Sequence, residues 1–101
     1  MAKGYWIAHV DVRDPEAYQK YVKANGAAFA RYGARFLVRG GKSHLAAGAA
    51  RARHVVIEFR DYATALACHG SPEYREAAKL RDAASDADLV IVEGYDGAQP
   101  A

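Results

Sequence analysis

The chain has 101 residues, of which 51% are hydrophobic and 26% are charged. This length fits one domain rather than two, and the composition argues against a disordered protein. The 14 Lys and Arg residues against 12 Asp and Glu leave a net charge of +2, too small an excess to predict a nucleic-acid or membrane partner. Cys68 is the only cysteine, which excludes an intramolecular disulfide and a cysteine-based metal cluster.

The N-terminal residues predict no targeting segment. Residues 1–4 lead directly into a strand pattern, without the apolar stretch of a signal peptide. No apolar run approaches the roughly 20 residues that a membrane-spanning helix requires. Because a lone thiol suits a reducing compartment, we expect a cytoplasmic protein.

The first half of the chain predicts a strand, a helix and a second strand. Alternating polarity indicates the first strand, at residues 4–12. Asp14 and Pro15 are typical of a helix start, and Gly33 of a helix end. The second strand follows at residues 35–39. Between Pro15 and Gly33, residues three or four positions apart form one stripe: Tyr18, Tyr21, Val22, Asn25, Phe29 and Tyr32.

The second half predicts a strand, two short helical pieces and a last strand. Residues 42–52, rich in Ala and Gly, form a loop or a weak hairpin. The third strand covers residues 54–60, and a short helix covers residues 62–69. Another helical piece starts after Ser71. The last strand, at residues 88–95, is apolar at four consecutive positions, which is typical of a strand buried on both faces.

This element order, β-α-β-β-α-β, predicts an α+β protein of the ferredoxin-like class. Such a fold has a four-stranded antiparallel sheet with both helices on one face. We expect the spatial strand order four, one, three, two, with strands one and three central and parallel. The prediction is a single domain over residues 1–101 with its core at about residues 3–95.

The strands carry apolar residues on both faces. We assign the more apolar face to the helices: Trp6, Ala8, Val10, Phe36, Val38, Val55, Ile57, Phe59, Val90 and Val92. The opposite face then holds Tyr5, Ile7, His9, Leu37, Arg39, Val56, Glu58, Leu89, Ile91 and Glu93. That face has too many aliphatic residues for a solvated surface, and the chain has no spare element to cover it. We therefore expect a homodimer formed through this sheet face.

Ionisable residues collect on the same face. If the strand order holds, Glu93, His9, Glu58 and Arg39 form one row across the sheet. One interpretation is a polar site in which His9 accepts a proton and Arg39 binds an anion. The other is a buried ion-pair network that fixes the register of the dimer. The sequence leaves both open.

A second candidate site lies between the sheet and the helices, where tyrosines on the helical stripes face Trp6. Aromatic residues at this spacing are usually core, but they could also line a small-molecule cavity. Ser71 is either a ligand contact or, more simply, a helix cap. The candidate catalytic residues are His9, Glu58 and Tyr74. The candidate ligand-binding residues are Trp6, Arg39, Ser71, Arg81 and Glu93.

We predict no metal and no cofactor. The histidines show no metal-binding spacing, although His9 and His54 could approach each other across strands near Glu58. Nothing indicates a haem ligand. Cys68 has no base placed to activate it and is interpreted as a buried apolar group.

Six segments in order carry a family resemblance: GYWIA at residues 4–8, DPEAY at 14–18, FLVRGG at 36–41, VIEF at 56–59, SPEY at 71–74 and DLVIVEG at 88–94. Over about residues 3–95 the chain resembles the family called domain of unknown function 1330. That family is similar to the dimeric α+β barrel superfamily, in which two ferredoxin-like sheets pack into one barrel. The chain departs from the family pattern at residues 68–70, which read Cys-His-Gly.

The resemblance implies a homodimer but no single activity. The wider superfamily includes cofactor-free monooxygenases of phenolic substrates, an isomerase, haem-binding enzymes and sensor domains. Two hypotheses follow. The chain is either a cofactor-independent protein for a small aromatic or anionic metabolite, with proton transfer leading to isomerisation or oxygenation, or a noncatalytic binding or structural dimer.

Overall fold

The computed structural model describes residues 2–100. Its four strands and three helices are β1 (Gly4–Val12), α1 (Pro15–Arg31), β2 (Arg35–Arg39), β3 (Arg53–Phe59), α2 (Tyr62–Gly70), α3 (Pro72–Ala84) and β4 (Ser85–Glu93). The predicted element order is confirmed, with the second helical region divided into α2 and α3. β4 begins earlier than predicted because α3 passes into it without a loop. Within residues 2–100, no helix combines the length and apolar character needed to cross a bilayer.

Local capping explains where the helices begin. The Asp14 carboxylate accepts a hydrogen bond from the Ala17 N–H at 3.1 Å, and Pro15 occupies the first turn of α1. The Asp61 carboxylate accepts from the Thr64 N–H at 2.7 Å at the start of α2. These side chains satisfy backbone N–H groups that have no partner inside their helices.

The sheet order is β2-β3-β1-β4, which confirms the predicted order. Every neighbouring pair is antiparallel, so the prediction that strands one and three run parallel is wrong. The crossover through α1 preserves the chain direction between β1 and β2. The connection from β2 to β3 then reverses it, so β3 must run opposite to β1.

The register places Trp6 opposite both Ile57 of β3 and Ile91 of β4, so these three side chains share the helix-facing side of the sheet. Val90 and Val92 point the other way and are 57% and 38% exposed. The predicted face of β4 is therefore wrong. Four consecutive apolar residues carry no alternation, so only the pairing with β1 decides which of them face the helices.

A β-bulge changes which side chains at the end of β2 face the helices. Phe36 pairs with Ile57 and Val38 pairs with Val56, which leaves Leu37 as an extra residue in β2. Beyond the bulge, Arg39 lies opposite Val55, on the helix-facing side. The prediction that placed Val38 with the helices and Arg39 on the opposite face is therefore wrong.

The core lies between the helix-facing side of the sheet and the helices. Trp6, Phe59, Cys68 and Tyr74 are its largest fully buried side chains. The Trp6 ring meets the Phe29 and Tyr74 rings edge to face, at centroid distances of 5.3 Å and 4.7 Å. Its Nε1–H donates to the Ala65 carbonyl oxygen at 2.9 Å, which ties β1 to α2.

Gly4 lies where β1 packs closely against the start of α2, and a substitution there tests this packing. A Cβ at this position would overlap the Asp61 carbonyl group. We expect Gly4→Ala to lower the free energy of unfolding by about 1–3 kcal/mol in urea denaturation. The control is Gly26→Ala in α1, where an added Cβ has no atom within 4 Å and should stabilise the helix by up to about 1 kcal/mol. Equal effects of the two substitutions would contradict this packing.

Candidate functional site

A cavity lies between the sheet and helices α1 and α3. Its free internal volume is about 40 Å³, and about 530 Å³ when the open mouth is included. Aromatic side chains form much of the wall: Trp6, Tyr18, Tyr21, Phe29, Phe36 and Tyr74. The polar side chains that line it are Asn25, Arg39, Arg53 and Arg81. The enclosed part has room for a few water molecules, and a small-molecule ligand would also occupy the open mouth.

Three side chains form a hydrogen-bonded chain at the cavity wall. The hydroxyl oxygens of Tyr21 and Tyr74 lie 2.8 Å apart, and the Arg81 Nη1–H donates to the Tyr74 oxygen at 2.9 Å. Each hydroxyl has one proton, and their mutual hydrogen bond uses only one of the two. The second hydroxyl proton therefore remains free to be donated to a ligand.

The surroundings keep both tyrosines neutral near neutral pH. Burial raises the pKa of Tyr74, while hydrogen bonds from Tyr21 and Arg81 and the charge of Arg81 lower it in part. Burial also raises the pKa of Tyr21, and the neighbouring Tyr74 raises it further. Because Tyr74 directly accepts an N–H from Arg81, its oxygen is the better placed of the two to carry negative charge.

Helical spacing brings these groups together. Tyr74 and Arg81 are seven residues apart on α3, which places them two turns apart on one face. Tyr21 and Asn25 are one turn apart on α1 and are both buried. The neighbouring Asn25 side chain lowers the pKa of the Tyr21 hydroxyl, against the larger effect of burial.

Ser71 caps α3 and does not line the cavity. Its hydroxyl donates to the Cys68 carbonyl at 2.7 Å and accepts from the Tyr74 N–H at 3.2 Å. Of the two roles considered for Ser71, the structure shows the helix cap, and the residue does not lie in the cavity wall. The cap instead fixes the first turn of α3, and with it the position of Tyr74.

Four predicted site residues do line the cavity: Trp6, Arg39, Tyr74 and Arg81. His9 and Glu58 lie on the opposite side of the sheet, where His9 Nδ1 is 2.7 Å from His54 Nδ1. Glu58 accepts from the Tyr5 hydroxyl at 3.4 Å. Glu93 is exposed at the end of β4, opposite Gly4.

The predicted row of Glu93, His9, Glu58 and Arg39 is therefore wrong. The register pairs His9 with His54 rather than with Glu58, and the bulge turns Arg39 to the helix-facing side. Glu93 lies two residues after Ile91 in β4, so both residues lie on the helix-facing side of the sheet. The catalytic roles of His9, Glu58 and Tyr74 stay predictions, but only Tyr74 lies at the cavity.

An apolar row occupies the centre of the sheet surface that faces away from the helices. Val38, Val56, Ile7 and Val90 lie in register across the four strands, and Val92 lies beside them on β4. We call the surface formed by these five residues the outer face. At one end of it, Arg51 joins Asp11 and Asp88 through hydrogen bonds of 3.0 Å each.

The remaining metal-ligating and nucleophilic groups are dispersed. Among residues 2–100, no three His, Cys, Asp or Glu side chains lie close enough together to hold a metal ion. The Cys68 thiol is fully buried, and burial raises its pKa to about 12. A thiol in this environment stays protonated and unreactive at neutral pH.

Two polar residues of the cavity were missed by sequence reasoning. Asn25 interrupts an otherwise apolar stripe, and that interruption was the available signal for a polar group inside the fold. Arg53 gave no such signal, because a charged residue at the start of a strand is ordinary. Its place in the cavity depends on the pairing of β3 with β1 and β2.

Comparison with known proteins shows the fold. The chain resembles the RPA0582 protein of unknown function from Rhodopseudomonas palustris at 23% identity and a TM-score of 0.76, over 95% of this chain and 85% of that one. It resembles SnoaB, a cofactor-independent oxygenase from Streptomyces nogalater, at 13% identity and a TM-score of 0.67, over 99% and 97%. A hypothetical Arabidopsis thaliana protein matches at 13% identity and a TM-score of 0.64, over 97% and 91%.

These identities are low, so the likenesses concern the fold alone, which is the ferredoxin-like arrangement of one four-stranded sheet with helices on one side. No curated protein gives a significant match. The model of one family, the domain of unknown function DUF1330, matches residues 3–95. With nearly the whole length matched and the fold in agreement, the chain belongs to the DUF1330 family.

Proposed function

We propose that the cavity binds a small planar metabolite and that the Tyr74 hydroxyl exchanges a proton with it. The observation that carries this proposal is the chain Tyr21–Tyr74–Arg81 in an aromatic cavity. Flat apolar walls suit a planar ligand, and a convergent polar group fixes its orientation. The cofactor-independent oxygenase SnoaB shares the fold, which supports chemistry carried out by side chains alone.

Tyr74 would act as an acid rather than a base. Its raised pKa keeps it protonated at neutral pH, so it can give a proton to an electron-rich carbon or oxygen of the ligand. The resulting phenolate would accept hydrogen bonds from Arg81 and Tyr21, which stabilise it inside the protein. Isomerisation requires only such proton transfers, whereas oxygenation would also require dioxygen.

The test uses 4-nitrophenol, whose phenolate absorbs at longer wavelength than the phenol, and 4-nitroanisole, which has no exchangeable proton. We expect the protein to bind 4-nitrophenol more tightly than 4-nitroanisole and to shift the apparent pKa of the bound 4-nitrophenol. Tyr74→Phe should weaken that binding by about tenfold, the loss of a hydrogen bond of about 1.4 kcal/mol, and abolish the shift. Tyr95→Phe is the control, since Tyr95 is 72% exposed and lies outside the cavity. Equal binding by Tyr74→Phe and the wild type would contradict the proposal.

We also propose that two copies of the chain associate through the outer face. Val90 is 57% exposed in the protomer, and the apolar row crosses all four strands. A twofold axis through this face would bury the same apolar residues twice. The resemblance of the chain to the dimeric α+β barrel superfamily, in which two such sheets pack together, supports this mode of pairing.

A noncatalytic role is the second candidate. The small enclosed volume of about 40 Å³ favours it, because a ring enters only if side chains at the mouth move. In that case the protein would still pair through the outer face, but 4-nitrophenol would not bind.

A further inference from the structure

Two arginines at the mouth of the cavity lack a partner of opposite charge. Neither Arg39 nor Arg53 forms an ion pair with any residue in the described range 2–100. The Arg53 Nε is buried and has no hydrogen-bond partner in that part of the chain. A buried donor without an acceptor is costly, and a charged one more so.

The fold turns both arginines toward the same space. The bulge at Leu37 places Arg39 on the helix-facing side of β2, and the pairing of Arg53 with Val10 places Arg53 on that side of β3. Gly40 has φ +68°, and a Cβ there would overlap the Arg53 guanidinium. A residue with a side chain at position 40 would therefore displace Arg53 from the mouth.

Aromatic rings support both guanidinium groups. The Arg39 Cζ lies 4.0 Å from the centroid of the Phe36 ring, and the Arg53 Cζ lies 5.6 Å from that of Tyr18. A guanidinium held against a ring keeps its N–H edge free, and that edge matches the two oxygens of a carboxylate. No carboxylate is among the described residues that line the cavity.

We infer that the mouth is a carboxylate-binding site and that the ligand is a planar aromatic monocarboxylic acid. Its carboxylate would lie against Arg39 and Arg53, with the ring directed inward toward Trp6 and Tyr74. Arg39 is exposed and can swing outward, which would widen the mouth for the ring. This inference rests on the proposed function, since it names the ligand class of the same cavity.

The test compares benzoate with benzamide, its neutral isostere, by isothermal titration calorimetry on the intact chain. We expect benzoate to bind at least about tenfold more tightly. Arg39→Gln and Arg53→Gln should each lower benzoate affinity by more than benzamide affinity, so that the preference for benzoate is lost. Arg75→Gln is the control, because Arg75 is exposed on α3 and lies outside the cavity lining. Arg53→Lys, which keeps the charge but loses the planar fork, should retain only part of the preference.

The outcomes separate this inference from the proposed function. If 4-nitrophenol binds in a Tyr74-dependent way but benzoate is not preferred over benzamide, the carboxylate site is refuted and the proposed function stands. Benzoate binding that is unchanged in both arginine-to-glutamine variants refutes it as well. If neither probe binds, both proposals fail. Circular dichroism of each variant establishes that it is folded before its binding is compared.

Discussion

Trp6→Ala is expected to remove much of the stability of the fold. Trp6 is 2% exposed and contacts the rings of Phe29, Phe59 and Tyr74. Truncating a buried tryptophan costs about 3–5 kcal/mol, from lost transfer energy and the cavity that remains. The Ala65 carbonyl also loses its donor. Since domains of this size are stable by only about 5–15 kcal/mol, the variant should be unfolded or marginal at 37 °C.

Urea denaturation followed by far-UV circular dichroism measures this effect, because Trp6 is the only tryptophan and its fluorescence disappears in the variant. Trp6→Phe keeps most of the ring packing and should lose about 1–3 kcal/mol. Leu66→Ala on α2, where Leu66 is 44% exposed, should change stability by less than about 1 kcal/mol. A loss below about 1 kcal/mol for Trp6→Ala would show that Trp6 is not central to the core.

Ile7→Lys is expected to abolish self-association. Ile7 lies at the centre of the outer face, between Val56 and Val90. In a twofold pair, the substitution would bring two like-charged lysines into the centre of an apolar interface, which carries a large desolvation cost. We expect the dimer to weaken by at least about a hundredfold, equivalent to about 2.7 kcal/mol.

Sedimentation equilibrium tests this directly. The wild type should sediment at twice the chain mass of 10.9 kDa, and Ile7→Lys at the mass of one chain. Leu66→Lys introduces the same charge on the helical side and should leave the dimer intact. A wild type that is monomeric at micromolar concentration, or a dimer disrupted only by Leu66→Lys, would refute pairing through the outer face.

Local signals predicted most of the fold. The pairs Asp14–Pro15 and Ser71–Pro72 gave the starts of α1 and α3, since a cap and a first-turn proline act within a few residues. Alternation gave β3, because half-buried strands expose every second residue. The faces of β4 and of the end of β2 depend on long-range pairing. Neither the register of β4 nor the extra residue Leu37 has a local signature.

The candidate site was predicted only in part for the same reason. Trp6, Tyr74 and Arg81 follow from strand and helix periodicity, and the structure brings them together at the cavity. Arg39 was expected to bind an anion on the opposite face, and the bulge moves it to the cavity mouth. The predicted row of Glu93, His9, Glu58 and Arg39 was wrong because the register between the central strands pairs His9 with His54, and a shift of one residue in either edge strand exchanges the two faces of that strand.

Helix α3 ends at Ala84 and β4 begins at Ser85, so no loop residue separates the two elements. The Ser85 hydroxyl donates to the Arg81 carbonyl at 2.7 Å, and Arg13 donates to the carbonyl groups of Asp82 and Ser85 at 2.8 Å and 3.0 Å. One inserted residue would rotate every side chain of β4 to the wrong side of the sheet. We therefore expect related sequences to carry insertions and deletions in the connection between residues 40 and 52, but none where α3 passes into β4.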